Sequence, residues 1–255
     1  MRAPEALVAL AEEYVAGIEL SSDLGDQRES MRYALEGGKR VRAVICLATA
    51  EAAGNTPETA LPAAGALELV HAFSLVHDDL PALDDDDERR GRPSAHKAFD
   101  EGIALLAGDA LLVEAFRLVL SYPTSGAALE LAEATLGMIG GQYLDITGAD
   151  EDLAALHRLK TGRLFAASVG LGLRVAGVPS ADQTPWRAFG EELGLVFQIV
   201  DDVLDGDGYA ERLGADAARR LAEEAAERAY RALDALPADT SVLRAIVESL
   251  VVRTA

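Results

Sequence analysis

Two aspartate-rich segments carry the side chains best suited to hold a hard divalent cation. The first is His77-Asp78-Asp79-Leu80-Pro81-Ala82-Leu83-Asp84-Asp85-Asp86-Asp87-Glu88-Arg89-Arg90-Gly91-Arg92-Pro93, which follows an apolar stretch over 67–76. Neighbouring like charges at a helix end repel one another unless a cation compensates them. Pro81 stops a regular helix just past Asp79, so Asp84 can fold back toward Asp78. A donor set made only of carboxylate oxygens suits Mg²⁺. A bare acidic run is ordinarily a solvated loop. Against that stands the immediate succession of Arg89, Arg90 and Arg92, because cation-loaded carboxylates beside arginines make a phosphate clamp. The second segment is Phe197-Gln198-Ile199-Val200-Asp201-Asp202-Val203-Leu204-Asp205. Gln198, Asp201/Asp202 and Asp205 recur at helical spacing and share one face. Their flanks (Leu193, Leu195, Val196, Ile199, Val200, Val203) are apolar, so burying these carboxylates is costly without a cation. The alternative is the polar outer stripe of an amphipathic helix.

Other candidates surround these clusters. His71, Ser74/Leu75 and Asp78 share a helical face. Among carboxylates suited to Mg²⁺, His71 is better read as a donor to a phosphate oxygen than as a ligand. In Glu36-Gly37-Gly38-Lys39-Arg40-Val41-Arg42, two glycines interrupt a helical pattern at roughly 1 kcal/mol each relative to Ala. Glycine there permits close approach of backbone to ligand, although a loop with exposed basic residues would read the same way. Lys39 is one of only three lysines, with Lys97 and Lys160. Lys160-Thr161-Gly162-Arg163 interrupts an apolar helical segment, and upstream Gly140-Gly141-Gln142-Tyr143-Leu144-Asp145 places Gln142 and Asp145 on one face.

The elements that must position these groups are helices. The chain has 255 residues, is 50% hydrophobic and only 5% aromatic. That suffices for one large domain, or at most two. Ala, Leu and Glu dominate, and alternating β-branched runs are nearly absent. Apolar periodicity predicts helices at 3–20, 28–53, 58–80, 94–121, 126–147, 151–177, 185–205, 209–236 and 239–253. Thr56-Pro57 and Thr184-Pro185 read as caps followed by proline at the first helical position, and Asp150 opens another helix. No linker divides the chain, so a single all-α domain over 1–255 is the simplest reading. A formal charge of −20 repels nucleic acid and anionic membrane, so an anionic ligand needs local cations. Cys46 is the sole cysteine, which suits a reducing, cytoplasmic location. Residues 1–20 lack the pattern of a signal peptide. The apolar stretch 102–122 contains Asp109, Glu114 and Arg117, so it reads as a buried helix rather than a membrane span.

Taken in order, these motifs resemble the trans-polyprenyl diphosphate synthases, the farnesyl and geranylgeranyl diphosphate synthase family. The likeness runs from about 31 to 205 and resumes weakly to 253. It rests on both aspartate segments, Gly38-Lys39-Arg40 with Arg42, Arg89-Arg90-Gly91, Gly141-Gln142 and Lys160-Thr161. The resemblance implies a helical bundle of the isoprenoid synthase type around a central cavity, expected as a homodimer. It implies three Mg²⁺ ions, with Asp78 and Asp84 holding two on an allylic diphosphate and Asp79 in support. Asp201 would hold the third, with Asp202 and Asp205 as outer or water-mediated partners. Lys39, Arg42, His71 and Arg90 would bind isopentenyl diphosphate, and Arg89, Lys160 and Gln198 the allylic diphosphate. Thr161 and Gln198 would face the forming cation. Phe73, with Ser74, would floor the cavity and limit products to farnesyl length, with geranylgeranyl diphosphate the alternative; ordinary core packing is the competing role for Phe73.

One departure stands out. After Asp205 the family carries a lysine-containing lid, whereas here Gly206-Asp207-Gly208-Tyr209 leads straight into an Ala/Glu/Arg-rich helix, and no lysine follows Lys160. Arg212, Arg219 or Arg220 are candidate substitutes. The shortened lid leaves room for a second reading, a non-catalytic regulatory subunit; a terpene cyclase, which shares the first aspartate cluster and the helical fold, is a less favoured third. A bundle that merely binds divalent cations does not explain Lys39, Arg89, Arg90 and Lys160 together.

Overall fold

The computed structural model describes residues 1–148 and 153–254. Asp150, expected to open a helix, lies outside the described residues. The order is α1 (Pro4–Gly17), α2 (Gln27–Leu35), α3 (Val41–Ala52), α4 (Leu61–Asp78), α5 (Ala95–Ala98), α6 (Glu101–Val119), α7 (Gly126–Thr147), α8 (Leu153–His157), a π-helical turn (Arg158–Gly162), α9 (Arg163–Ala176), α10 (Thr184–Asp205), α11 (Gly208–Leu213), α12 (Ala215–Asp234) and α13 (Ser241–Val251). The strands among the described residues are β1 (Glu88–Arg89) and β2 (Arg92–Pro93), an antiparallel hairpin pairing Glu88 with Pro93 and Arg89 with Arg92.

The expected all-α architecture is what forms. α4 is the central post: its buried residues, from Ala63 to Val76, lie on every side of the helix, the mark of an element enclosed by others. It is also long and apolar enough to cross a membrane, but 67% of the relevant window over Pro57–Asp78 is buried within the bundle. Small residues let neighbours close on it; an added Cβ on Gly65 would meet the Tyr14 ring at 2.7 Å. α10 packs against α9 and α12 through Trp186, Phe189, Leu193, Val196, Ile199 and Val200.

Several expected helices are broken. The run 28–53 splits into α2 and α3, because Gly37, Gly38 and Arg40 adopt positive φ (73°, 90° and 53°), a conformation no helix continues through. The run 94–121 splits at Phe99-Asp100, where Asp100 Oδ1 accepts from the Ile103 N–H at 2.7 Å and starts α6. The run 209–236 splits at Gly214, φ 86°. Neither Thr56 nor Thr184 caps a helix with its side chain: Pro57 opens a 3₁₀ turn, and Thr184 is already helical.

The π-turn is where α7 comes closest to the chain carrying Lys160 and Thr161. A Cβ on Gly141 would lie 2.4 Å from the Lys160 backbone nitrogen, a contact with no side chain to swing aside. Gly141→Ala is therefore expected to cost about 1–3 kcal/mol of stability by overpacking, read as a lower urea midpoint. An unchanged midpoint would show that α7 and the turn slide apart freely.

Candidate active site

α4 carries Asp78 on its last turn. The chain then reverses as expected of Pro81: the Asp84 N–H donates to the Asp78 carbonyl at 2.9 Å and the Asp85 N–H to the Leu80 carbonyl at 3.2 Å. Asp78, at the top of α4, opens onto an apolar cavity of about 560 Å³ whose lining includes Phe73, Ser74, Leu112, Met138, Gln142, Lys160, Thr161 and Leu164. Burial pushes the Asp78 carboxyl up to about 6, with Asp84 and Asp79 adding to the rise and Lys160 opposing it. Lys160 Nζ is 2.5 Å from Asp145 Oδ2, so its charge is shared rather than idle.

A second cavity, about 590 Å³, is lined by Gly38, Lys39, Arg40, Arg42, Glu68, His71, Arg90, Phe197, Asp201 and Arg253. Arg42 and His71 line both cavities. The Arg42 guanidinium lies 4.5 Å from the Phe165 ring centre and 5.9 Å from that of Phe197. Burial lowers it to about 10, while Glu68 and Asp201 hold it up. Burial, then Arg42, Arg90, Arg40 and Arg89, drive the His71 imidazole well below its ordinary value; it is neutral. The Gly37-Gly38 turn admits Arg90, whose Nη1 would stand 3.0 Å from a Cβ on Gly38 and donates to the Glu36 carbonyl at 3.3 Å. Arg40 pairs with the buried Glu68 at 3.3 Å, and Glu68 also accepts from the Ala43 N–H at 3.1 Å. The Asp201 carboxyl is raised from its ordinary value by burial and by Asp205, against Arg253, Arg42 and Lys39.

The structure thus brings Asp78, Lys160, Thr161, Phe73 and Ser74 to one cavity, Lys39, Arg90 and Asp201 to the other, and Arg42 and His71 to both. It engages other expected site residues elsewhere. Asp79 is buried and accepts from Arg89 Nε at 2.9 Å, while Arg89 also reaches Asp86 Oδ2 at 2.9 Å. Both groups lie on the outer side of the α4 terminus, facing β2 and Ser94. Asp202 is buried too: it accepts from Gln198 Nε2 at 2.6 Å and from the Tyr209 N–H at 2.8 Å, and it lies 3.5 Å from His157 Nδ1. Gln198 lines a groove beside His157 and Arg163 rather than the Thr161 cavity. Asp84 and Asp205 are exposed.

Two residues join the site without having been given a role, Arg253 and His77, and Gln142, noted for sharing a face with Asp145, takes a place in the cavity wall. Arg253 stands beside Asp201. Gln142 turns both side-chain polar atoms, buried and without a hydrogen-bond partner, into the apolar cavity wall. His77 donates from Nε2 to the Leu105 carbonyl at 3.0 Å and braces the Phe73 ring edge-on at 4.9 Å. It fits only because α6 has Gly108 there, where a Cβ would sit 2.1 Å from its ring. Gln142 was legible as a polar residue on an apolar helix face; Arg253 and the His77–Gly108 fit depend on packing between distant segments.

Two cavities thus share Arg42 and His71 in their linings, each with a half-buried carboxylate at its edge. The chain matches the polyprenyl synthetase profile over residues 27–249. It belongs to the polyprenyl synthetase family. It is 42% identical over 202 residues to a geranylgeranyl diphosphate synthase of Cyanophora paradoxa, covering 73% of this chain and 67% of that one. To a farnesyl diphosphate synthase of Bacillus subtilis it is 40% identical over 203 residues, 73% of this chain and 69% of that one. A solved geranyltransferase from Legionella pneumophila superposes with a TM-score of 0.87 at 30% identity, covering 98% of this chain and 96% of that one. The chain is accordingly a prenyltransferase of the all-α isoprenoid synthase fold, in a magnesium-dependent family.

The donors fit such a cation. Asp78 and Asp201 are half-buried carboxylates whose charge the surrounding protein leaves undercompensated. Since the Asp78 carboxyl stands at about 6 against 3.8 when free, the folded chain binds its proton more tightly than the unfolded one. Its contribution to stability is present at low pH and falls as pH rises from about 4 through 6. The metal-free wild type should therefore lose more stability over this interval than Asp78→Asn, and Mg²⁺ should restore part of it above pH 6. Parallel melting curves for the two proteins would show Asp78 to be ordinarily solvated.

Proposed function

We propose that the chain condenses isopentenyl diphosphate with dimethylallyl or geranyl diphosphate, head to tail, to give mainly farnesyl diphosphate. The observation that carries this reading is the shared wall: Arg42 and His71 stand between a basic cavity containing Asp201 and an apolar cavity opening at Asp78. Two diphosphates can bind on either side of that wall with their hydrocarbon parts adjacent.

Asp78 and Asp84 would hold two Mg²⁺ ions and Asp201 a third; bound there, the cations stabilise the negative charge that develops on a departing diphosphate. Lys39, Arg42 and Arg90 bind the diphosphate of the isopentenyl substrate, to which neutral His71 donates one hydrogen bond. Lys160 meets the allylic diphosphate. The Thr161 hydroxyl and the unpartnered Gln142 amide oxygen face the allylic carbons, offering dipoles to the cation without trapping it. Leu112, Met138 and Leu164 exclude water from it. The Phe73 ring, propped by His77, floors the cavity and favours fifteen carbons over twenty.

Residues 106 and 113 along α6 with 120 at its C-cap, and 129, 136 and 143 along α7, form exposed apolar stripes (Val113 67%, Leu136 69% exposed), repeating every second turn. A second copy of the chain covers them in this reading, forming a homodimer; contiguous apolar area of this kind marks an association surface.

Assay of the pure chain with isopentenyl diphosphate and C5, C10 or C15 allylic partners, with and without Mg²⁺, tests the activity. C15 is expected as the main product, turnover should be lost in Asp78→Ala and Asp201→Ala, and Phe73→Ala should lengthen the product. No consumption of isopentenyl diphosphate would leave a regulatory subunit, or a cyclase if the allylic substrate alone reacts. In light scattering, Val113→Glu with Leu136→Glu should convert a dimer to a monomer; an unaltered mass would place the interface elsewhere.

A further inference from the structure

The loop leaving the first aspartate cluster holds a group of side chains with no part in the prenyl-transfer reading. Ligand atoms of Asp85, Asp87 and His96 all lie within 4.8 Å of one another. Two are exposed carboxylates, which alone would mean little. His96 is different. It is 7% exposed, and its Nε2 is buried without any hydrogen-bond partner. Its Nδ1 lies 3.0 Å from Ser94 Oγ. If Nδ1 carries the proton and donates to Ser94, Nε2 presents a bare lone pair, the tautomer that a metal-ligating histidine adopts with an outer partner on its other nitrogen. A buried polar atom left unsatisfied costs about 1–3 kcal/mol, and a cation bound at Nε2 removes that cost.

We propose that Asp85, Asp87 and His96 form a divalent-cation site of the zinc class, separate from the diphosphate-binding cations, which fastens the Asp84–Asp87 loop to α5. An imidazole with two carboxylates suits Zn²⁺ and its transition-metal neighbours better than Mg²⁺, which prefers oxygen alone. Bonds of 2.0–2.2 Å at a tetrahedral angle put donors roughly 3.4 Å apart, so donors that now lie within 4.8 Å of one another close by at most about 1.4 Å, through rotation of the two exposed carboxylates. Water completes the open position on the exposed side. Lys97 Nζ lies 2.8 Å from Asp87 Oδ1, leaving Oδ2 for the cation, so the ammonium stands as an outer partner of the ligating carboxylate. The site ties together a segment already joined by the Ser94 N–H donating to the Asp87 carbonyl at 2.9 Å. It also removes the mutual repulsion of Asp85 and Asp87 beside Asp86, the carboxylate that shares Arg89 with Asp79.

The test is calorimetric titration of Zn²⁺ alone into the chelator-stripped full chain, in millimolar Mg²⁺ and without any diphosphate. Co²⁺ serves as a spectroscopic probe of nitrogen ligation. One equivalent should bind, more weakly by about tenfold in Ser94→Ala, and by more than that in His96→Gln and in the exposed double variant Asp85→Asn/Asp87→Asn. Asp78→Ala should bind as the wild type does. The double variant decides the matter should His96→Gln fail to fold. Absence of a bound equivalent overturns the proposal, as does affinity unaffected by the double variant. Loss in Asp78→Ala equal to that in the double variant would assign the ion to the diphosphate site and overturn it too. Because prenyl transfer is not the readout, failure here leaves the reading of the main site untouched.

Discussion

A guanidinium buried between two cavities has to be kept charged, and much of the surrounding structure does that. Arg42 stacks over Phe165 and near Phe197, a cation–π arrangement that gains strength when water is excluded. Glu68 and Asp201 hold its proton in place against burial, and at about 10 it remains a cation at neutral pH. Glu68 is in turn fixed by Arg40 and by the Ala43 N–H. None of this is available to a continuous helix through 28–53. The left-handed residues Gly37, Gly38 and Arg40 restart α3 in a new direction, which sets Arg42 over the aromatic rings and brings Arg40 onto Glu68. Burial, and after it the same cluster of cations, drives the His71 imidazole well below its ordinary value, so the wall between the cavities offers one fixed charge and one uncharged donor.

The paired aspartates obey a simpler constraint. Consecutive residues on a helix project about 100° apart, so Asp78 and Asp79 cannot face one cavity together, nor can Asp201 and Asp202. In each pair one carboxylate looks into the site and the other secures the scaffold. Asp79 binds Arg89 and so holds the β1–β2 hairpin to the end of α4. Asp202 accepts from Gln198 and from the Tyr209 backbone and so holds α11 to α10. The inward members, Asp78 and Asp201, are both raised from the ordinary carboxylate value because burial is not matched by a fixed partner. A cation is what this arrangement lacks among the protein's own groups.

Periodicity showed the helices well where one face is continuously apolar. The span of α7 is as expected, and α10 differs at one end by a single residue. It failed where a break is short, since the apolar pattern resumes before the window registers the gap; Gly214 and Phe99-Asp100 are such places. The Asp100 cap was readable in principle, because its side chain bonds a backbone N–H three residues on. The π-turn at Arg158–Gly162 was not, as one wide turn leaves no trace in a pattern of 3.6. For the site, residue type and spacing found the groups that carry charge. They gave no view of which way each carboxylate turns, nor of Gly108 making room for His77, since those follow from contacts between helices far apart in the chain.

The junction after Asp205 ties these threads together. α10 ends with Gly206 in a left-handed conformation, and α11 begins only two residues later. A Cβ on Gly208 would stand 2.2 Å from Asp202 Oδ2, so the chain passes hard against the carboxylate that receives the Tyr209 N–H. The connection is drawn down onto the scaffold and away from the mouth formed by Asp201. Arg212, Arg219 and Arg220 do not line either cavity, whereas Arg253, beyond α13, lines the one that holds Asp201 and is the foremost cation opposing its rise. With the segment after α10 committed to Asp202, the cation added at that mouth to Arg42 and Lys39 comes from the opposite end of the helical run, where α13 lies against α10 and α3. The electrostatics around Asp201 thus depend in part on how α13 docks, a property set by its buried face (Val242, Leu243, Ile246, Val247 and Leu250).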